Sequence, residues 1–134
     1  MGKAPLNEIW VIGDQRSQRL LGFSLNVLAK ARALADAVGG KAAMVLFDGA
    51  KGAWQGEGDP IPCVRLADAE AACIRYGADR VYVLQKKDFY ALRCDYCARG
   101  LAGVTREYGP MLVLCALTDW GREMAATACR ILNA

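Results

Sequence analysis

The sequence predicts an α/β protein built on a doubly wound, mostly parallel sheet with the strand order 3-2-1-4. Four short apolar runs alternate with stretches of helical periodicity along the 134 residues. The runs are continuous rather than alternating in polarity, as strands are when helices cover both faces of a parallel sheet. Right-handed crossovers and short connections then leave few arrangements, and 3-2-1-4 satisfies both.

The first strand is Glu8 to Gly13. The stretch "SLNVLAKARALADAVGG" follows, with Val27, Ala31, Leu34 and Val38 at helical spacing before the stop Gly39-Gly40. "KAAMVLF" is the second strand. A polar loop from Asp48 to Pro62, rich in glycine, reads as a surface connection. Asp68 is placed to cap a short helix ending at Tyr76, and "GADRVYVL" makes the third strand. Asp88 is placed to cap the longest helix, whose stripe of Tyr90, Cys94, Cys97, Leu101, Val104 and Tyr108 should face the core. Gly109-Pro110 ends it, "MLVLCA" is the fourth strand, and Arg122 to Leu132 forms the last helix. No internal repeat or low-complexity tract interrupts this order, which predicts one domain over residues 1–134.

Bulk properties narrow the function. Hydrophobic residues make up 54% and charged residues 23%, and no apolar run approaches the ~20 residues a membrane-spanning helix needs. No apolar leader precedes the first strand, so a cytoplasmic location is expected. A net charge of +3, scattered along the chain, is no nucleic-acid footprint. The chain has no histidine, which removes the commonest general base, Cys/His metal sites and Ser/His/Asp triads. Six cysteines carry no zinc spacing, and the Cys94-x-x-Cys97 pair sits on the apolar stripe, where buried, reduced thiols are expected. The glycines between Asp48 and Pro62 fit neither a P-loop nor a dinucleotide fingerprint.

A 3-2-1-4 sheet reverses its winding between strands 1 and 4. The crevice at that switch point is walled by the turns Gly13–Ser17 and Leu117–Arg122, and it is where such sheets bind ligands. Candidate crevice or docking residues are therefore Asp14, Arg16, Thr118, Trp120, Gly121 and Arg122. Gly121 permits a close turn, and Arg122 at a helix start offers a bidentate donor for an anion. The same residues also suit a plain cap with a surface ion pair. Trp120 is expected as an exposed aromatic anchor. No acid–base dyad stands out among Asp14, Asp119 and Glu123.

Three stretches carry a resemblance. The opening "EIWVIGDQRSQRLLGFSLNVLAKARALADAVGGKAAMVLF", the element "AACIRYGADRVYVL", and the T..GR signature carried by Thr118, Gly121, Arg122, Ala125, Ala128 and Leu132 resemble the N-terminal domain of electron transfer flavoprotein alpha subunits. Trp120 and the cysteine-rich helix depart from that pattern. The resemblance implies a Rossmann-like fold, of the kind shared with adenine nucleotide alpha hydrolases. It also implies an electron carrier subunit rather than an enzyme, paired with a beta subunit and receiving electrons from acyl-CoA or other dehydrogenases. FAD would be held by a C-terminal alpha domain that this sequence lacks, leaving a scaffold and docking part with no cofactor of its own. The alternative is a freestanding nucleotide-binding domain of the universal-stress-protein type, which usually carries a glycine-rich phosphate turn before its last helix.

Overall fold

The computed structural model describes residues 6–49, 64–86, 89 and 92–133. Its elements run β1 (Leu6–Ile12), α1 (Gln18–Val38), β2 (Lys41–Asp48), α2 (Leu66–Arg75), β3 (Arg80–Gln85), α3 (Cys94–Tyr108), β4 (Pro110–Cys115) and α4 (Asp119–Leu132). All strand pairs are parallel, and the sheet order is β3-β2-β1-β4, as the alternation of elements predicts. In register, Val11 stands beside Met44 on one side and Leu114 on the other.

The sheet separates two apolar layers. On one face Ile9, Val11, Met44 and Leu46 pack with Leu21, Leu25, Leu28 and Ala31 of α1 and with Ala69 and Cys73 of α2. On the other, Trp10, Ile12, Val45 and Phe47 pack with Cys97 and Leu101 of α3 and with Trp120, Met124 and Ala128 of α4. Both faces of β1 and β2 are therefore buried, which is why those strands are apolar at nearly every position. One buried polar group interrupts this second layer. The Glu8 carboxylate accepts from Trp10 Nε1 (3.0 Å) and Tyr82 Oη (2.7 Å) and pairs with Arg80 (3.0 Å). Its satisfied oxygens allow a charge to sit inside the fold.

The helix ends differ from the sequence expectation where capping chemistry outweighs periodicity. α1 opens at Gln18, well before Ser24, because Ser17 accepts a hydrogen bond from Leu20 N and caps it. Its buried stripe is accordingly Leu21, Ser24, Leu25, Leu28, Ala31 and Ala35. Leu34 and Val38 are exposed at 45% and 49%, so of the four apolar residues at helical spacing these two lie off the core face. Gly39 ends α1 in the left-handed conformation, at φ 69°. α2 opens at Leu66 with Asp68 in its first turn rather than at its cap. The expected cap Asp88 and stripe residue Tyr90 lie outside the described residues. α3 begins at Cys94 and has 15 residues against 21 for α1, so it is not the longest helix.

The YGAD stretch is a structural joint. Gly77 has φ 108°, Asp79 N donates to Ala42 O (2.8 Å), and the Asp79 carboxylate accepts from Ala42 N (3.0 Å) and from Arg32 of α1. Hydrogen bonding from Arg32 and then from Ala42 N holds the Asp79 carboxyl below the usual carboxylate range.

Because Leu28 is fully buried and Leu34 is not, Leu28→Ala should lower unfolding free energy by about 2–5 kcal/mol and Leu34→Ala by less than about 0.5 kcal/mol. Urea denaturation of the two variants checks this assignment of the α1 core face.

Candidate functional site

The turn after β1 and the turn after β4 meet where the winding reverses, as a 3-2-1-4 sheet requires. What joins them is the Asp14 carboxylate, only 2% exposed. It accepts from Arg16 Nε (2.8 Å) and Arg16 Nη2 (2.7 Å), a bidentate pair, and from Thr118 Oγ1 (3.0 Å). Its own backbone N–H donates to Ser24 Oγ in α1 (2.9 Å). Arg16 in turn lies over the Trp120 ring, 5.8 Å from its centroid. Hydrogen bonding to Asp14 holds the Arg16 guanidinium still more firmly protonated.

Neighbouring contacts fix the walls. Gln15 is buried and reaches across to β2, donating from Nε2 to Phe47 O (3.0 Å) and accepting from Phe47 N (2.8 Å). Thr118 caps α4 by accepting from Gly121 N (3.0 Å) while donating to Asp14. A Cβ at Gly121 would fall 2.5 Å from the backbone oxygen of Ala116, so the close approach of turn and helix admits only glycine. Asp14, Arg16, Thr118 and Gly121 are thus brought together at the switch point.

Trp120 is a correction. It is 6% exposed, packs in the α3–α4 layer, and donates from Nε1 to Leu92 O (2.8 Å). Its place is explained by helical spacing: Trp120, Met124 and Ala128 form the buried stripe of α4. Leu92, which supplies the acceptor, takes φ 50°, an uncommon conformation for leucine. The exposed apolar residue of the turn is instead Leu117, at 86%. Arg122 is exposed and borders an open hollow with Asp119, Glu123 and Ala126.

The thiols follow their burial. Cys73 and Cys97 are fully buried, and burial pushes their pKa up to about 11 and about 12. Cys94 is the first residue of α3 rather than a residue within it, and it is half-buried with Sγ 3.6 Å from Trp120 O. Burial, then Glu123 and Asp95, push it up to about 11. Among the described residues no group of three or more His, Cys, Asp or Glu is placed to hold a metal ion.

The groups of this crevice that would draw an anion are paired within the chain. An anionic carboxylate lies where a phosphate would be drawn, Arg16 is already paired with it, and the Gly121 amide is taken by Thr118. The arrangement closes the crevice with the chain's own groups.

A doubly wound, all-parallel sheet with a switch point places the chain in the Rossmann-like α/β class. Within that class, residues 9–134 match the electron transfer flavoprotein domain, and the chain belongs to that family. It is similar to the electron transfer flavoprotein subunit alpha of Thermoanaerobacterium thermosaccharolyticum, 25% identical over 118 residues, which are 88% of this chain and 31% of that protein. The chain thus spans about a third of the length of this relative. Among the described residues no helix is long and apolar enough to cross a membrane.

Two outcomes test the site. Thr118→Val removes both the cap and the donor to Asp14, and should cost about 1–3 kcal/mol, most of it regained by Thr118→Ser; thermal melts of both variants measure this. In native labelling by a bulky thiol reagent at pH 8, exposed Cys129 should react first and Cys73 and Cys97 last among the described cysteines. Cys94 should fall between, its thiolate fraction only about one in a thousand at that pH. Peptide mass mapping over time gives the order.

Proposed function

We propose that residues 1–134 act as one scaffold and subunit-docking domain of an electron transfer flavoprotein alpha subunit. With a beta subunit, the whole carrier passes electrons from acyl-CoA or other dehydrogenases through FAD held outside this region, in the cytoplasm. Family membership supports the electron-transfer reading. The observation that carries the docking reading is the crevice filled from within by Asp14, Arg16 and Thr118. A domain whose usual ligand position is occupied by its own ion pair serves better as a rigid surface than as a binder of nucleotides. The freestanding nucleotide-binding alternative is disfavoured by the same groups and by the lone Gly121 in place of a glycine-rich phosphate turn.

The surface offered beside that crevice is Leu117, nearly fully exposed, with Arg122 on the adjoining first turn of α4. An exposed aliphatic beside a guanidinium suits a contact in which apolar area is buried and the charge is paired with an acid. Trp120 supports this surface from beneath without touching a partner.

The test is calorimetric titration of the chain with the beta subunit from the same source. Leu117→Asp and Arg122→Ala should each weaken binding by about 1–3 kcal/mol and leave melting nearly unchanged, whereas Trp120→Ala should destabilise the fold by about 3–5 kcal/mol. Unaltered affinity in both folded surface variants would remove this turn from the interface.

A further inference from the structure

Away from the crevice, toward the ends where the strands begin, the sheet carries a second cluster on its α3 face. Trp10 of β1, Ala43 of β2 and Arg80 of β3 stand in one row of the register, with Glu8 two residues back along β1 and Tyr82 two residues on along β3, all on the same face. Ala43 puts only a methyl group into this row, so the larger side chains on either side close over it. The Trp10 and Tyr82 ring centroids are 5.1 Å apart, and Tyr108, the last residue of α3, stands 6.2 Å from Tyr82 and 6.4 Å from Trp10. Trp10 is fully buried whereas Tyr108 is 37% exposed, so the three rings reach from the core to the surface.

The polar atoms of the cluster converge on one carboxylate. Glu8 Oε1 accepts from both Tyr82 Oη, at 2.7 Å, and Trp10 Nε1, at 3.0 Å, while Glu8 Oε2 faces Arg80. Packing alone would be served as well by phenylalanine at position 82; the phenol adds a short, charge-assisted hydrogen bond to a buried acceptor. Burial, opposed by Arg80 and aided by Glu8, pushes the Tyr82 phenol above its ordinary range, so it rests protonated. Indole and phenol rings both give up single electrons to radical oxidants. A phenol that has lost an electron becomes a strong acid, and here the base that takes the proton is already in contact with it.

We propose that Tyr82, together with Trp10 and Tyr108, forms a one-electron oxidation site that quenches diffusible radical oxidants. The electron reaches the oxidant through the exposed Tyr108 ring, and its source is Tyr82, directly or by way of Trp10. The Tyr82 O–H bond breaks, the proton passes to Glu8 Oε1, and a neutral phenoxyl then faces a neutral carboxyl group. Arg80 stays beside Glu8 Oε2 throughout. A one-electron reductant of the ascorbate class supplies an electron and Glu8 returns the proton, which restores the phenol. The site does not depend on the docking surface, which lies beyond the other ends of the strands.

The test is pulse radiolysis of the 134-residue chain with azidyl radical, which oxidises indole and phenol, while the indolyl and phenoxyl absorption bands are followed. In the unaltered chain the indolyl band should decay into the phenoxyl band at a rate independent of protein concentration and slowed in deuterium oxide. Tyr82→Phe keeps the ring and its packing, and Glu8→Gln keeps the shape but cannot take the proton, so each should slow that conversion at least about tenfold. Tyr108→Leu should lower the phenoxyl yield when the oxidant is a ruthenium(III) tris-bipyridine complex, too bulky to enter the fold. Thermal melts establish which variants fold, and Tyr82→Phe decides the question if Glu8→Gln does not. Equal phenoxyl growth in the unaltered chain and Tyr82→Phe would overturn the proposal. So would a folded Glu8→Gln chain with unaltered rate and isotope effect, which would leave the cluster as core packing.

Discussion

A single buried carboxylate organises the ligand end of this sheet. Asp14 leaves β1, borrows Ser24 of α1 for its amide, and binds Arg16 and Thr118 through its side chain. Those contacts tie the first strand, the first helix and the last helix to one point. An isolated carboxylate so deeply buried would cost several kcal/mol, and it is tolerated because its oxygens are met by a guanidinium and a hydroxyl. Removing any one partner leaves the others with a charge they cannot satisfy alone. The geometry of the switch point therefore depends on this cluster.

The same cluster decides what the crevice can do. Doubly wound sheets attract anions where helix N-termini converge, and both α1 and α4 begin here. In this protein Ser17 and Thr118 take amides of the first turns, and Asp14 supplies the negative charge. Local positive potential from the helix ends is met within the chain. The T..GR signature then divides into two roles. Thr118 and Gly121 hold the turn together, the first as cap and donor and the second by its lack of a Cβ. Arg122 is exposed on the surface beside Leu117.

Much of this was legible because parallel strands buried on both faces write themselves as continuous apolar runs, and β1 and β2 did so, while the edge strand β4 is as apolar but leaves Met111 and Leu112 exposed. Strand order followed from handedness and connection length, since the alternatives would need left-handed or crossing links. Helix faces were harder. On α1 the stripe through Val27, Ala31, Leu34 and Val38 and the true one through Leu21, Leu28 and Ala35 are both apolar, and only the Ser17 cap, with Leu20 N as its donor, distinguishes where the helix starts. Trp120 misled for a different reason: flanked by Asp119 and Gly121 it looks like part of a polar turn, yet the spacing Trp120, Met124, Ala128 carries the core stripe into the first turn of α4. The Asp14–Arg16–Thr118 cluster spans 104 positions between Asp14 and Thr118 and leaves no local pattern, so each member was readable as a candidate but their pairing was not.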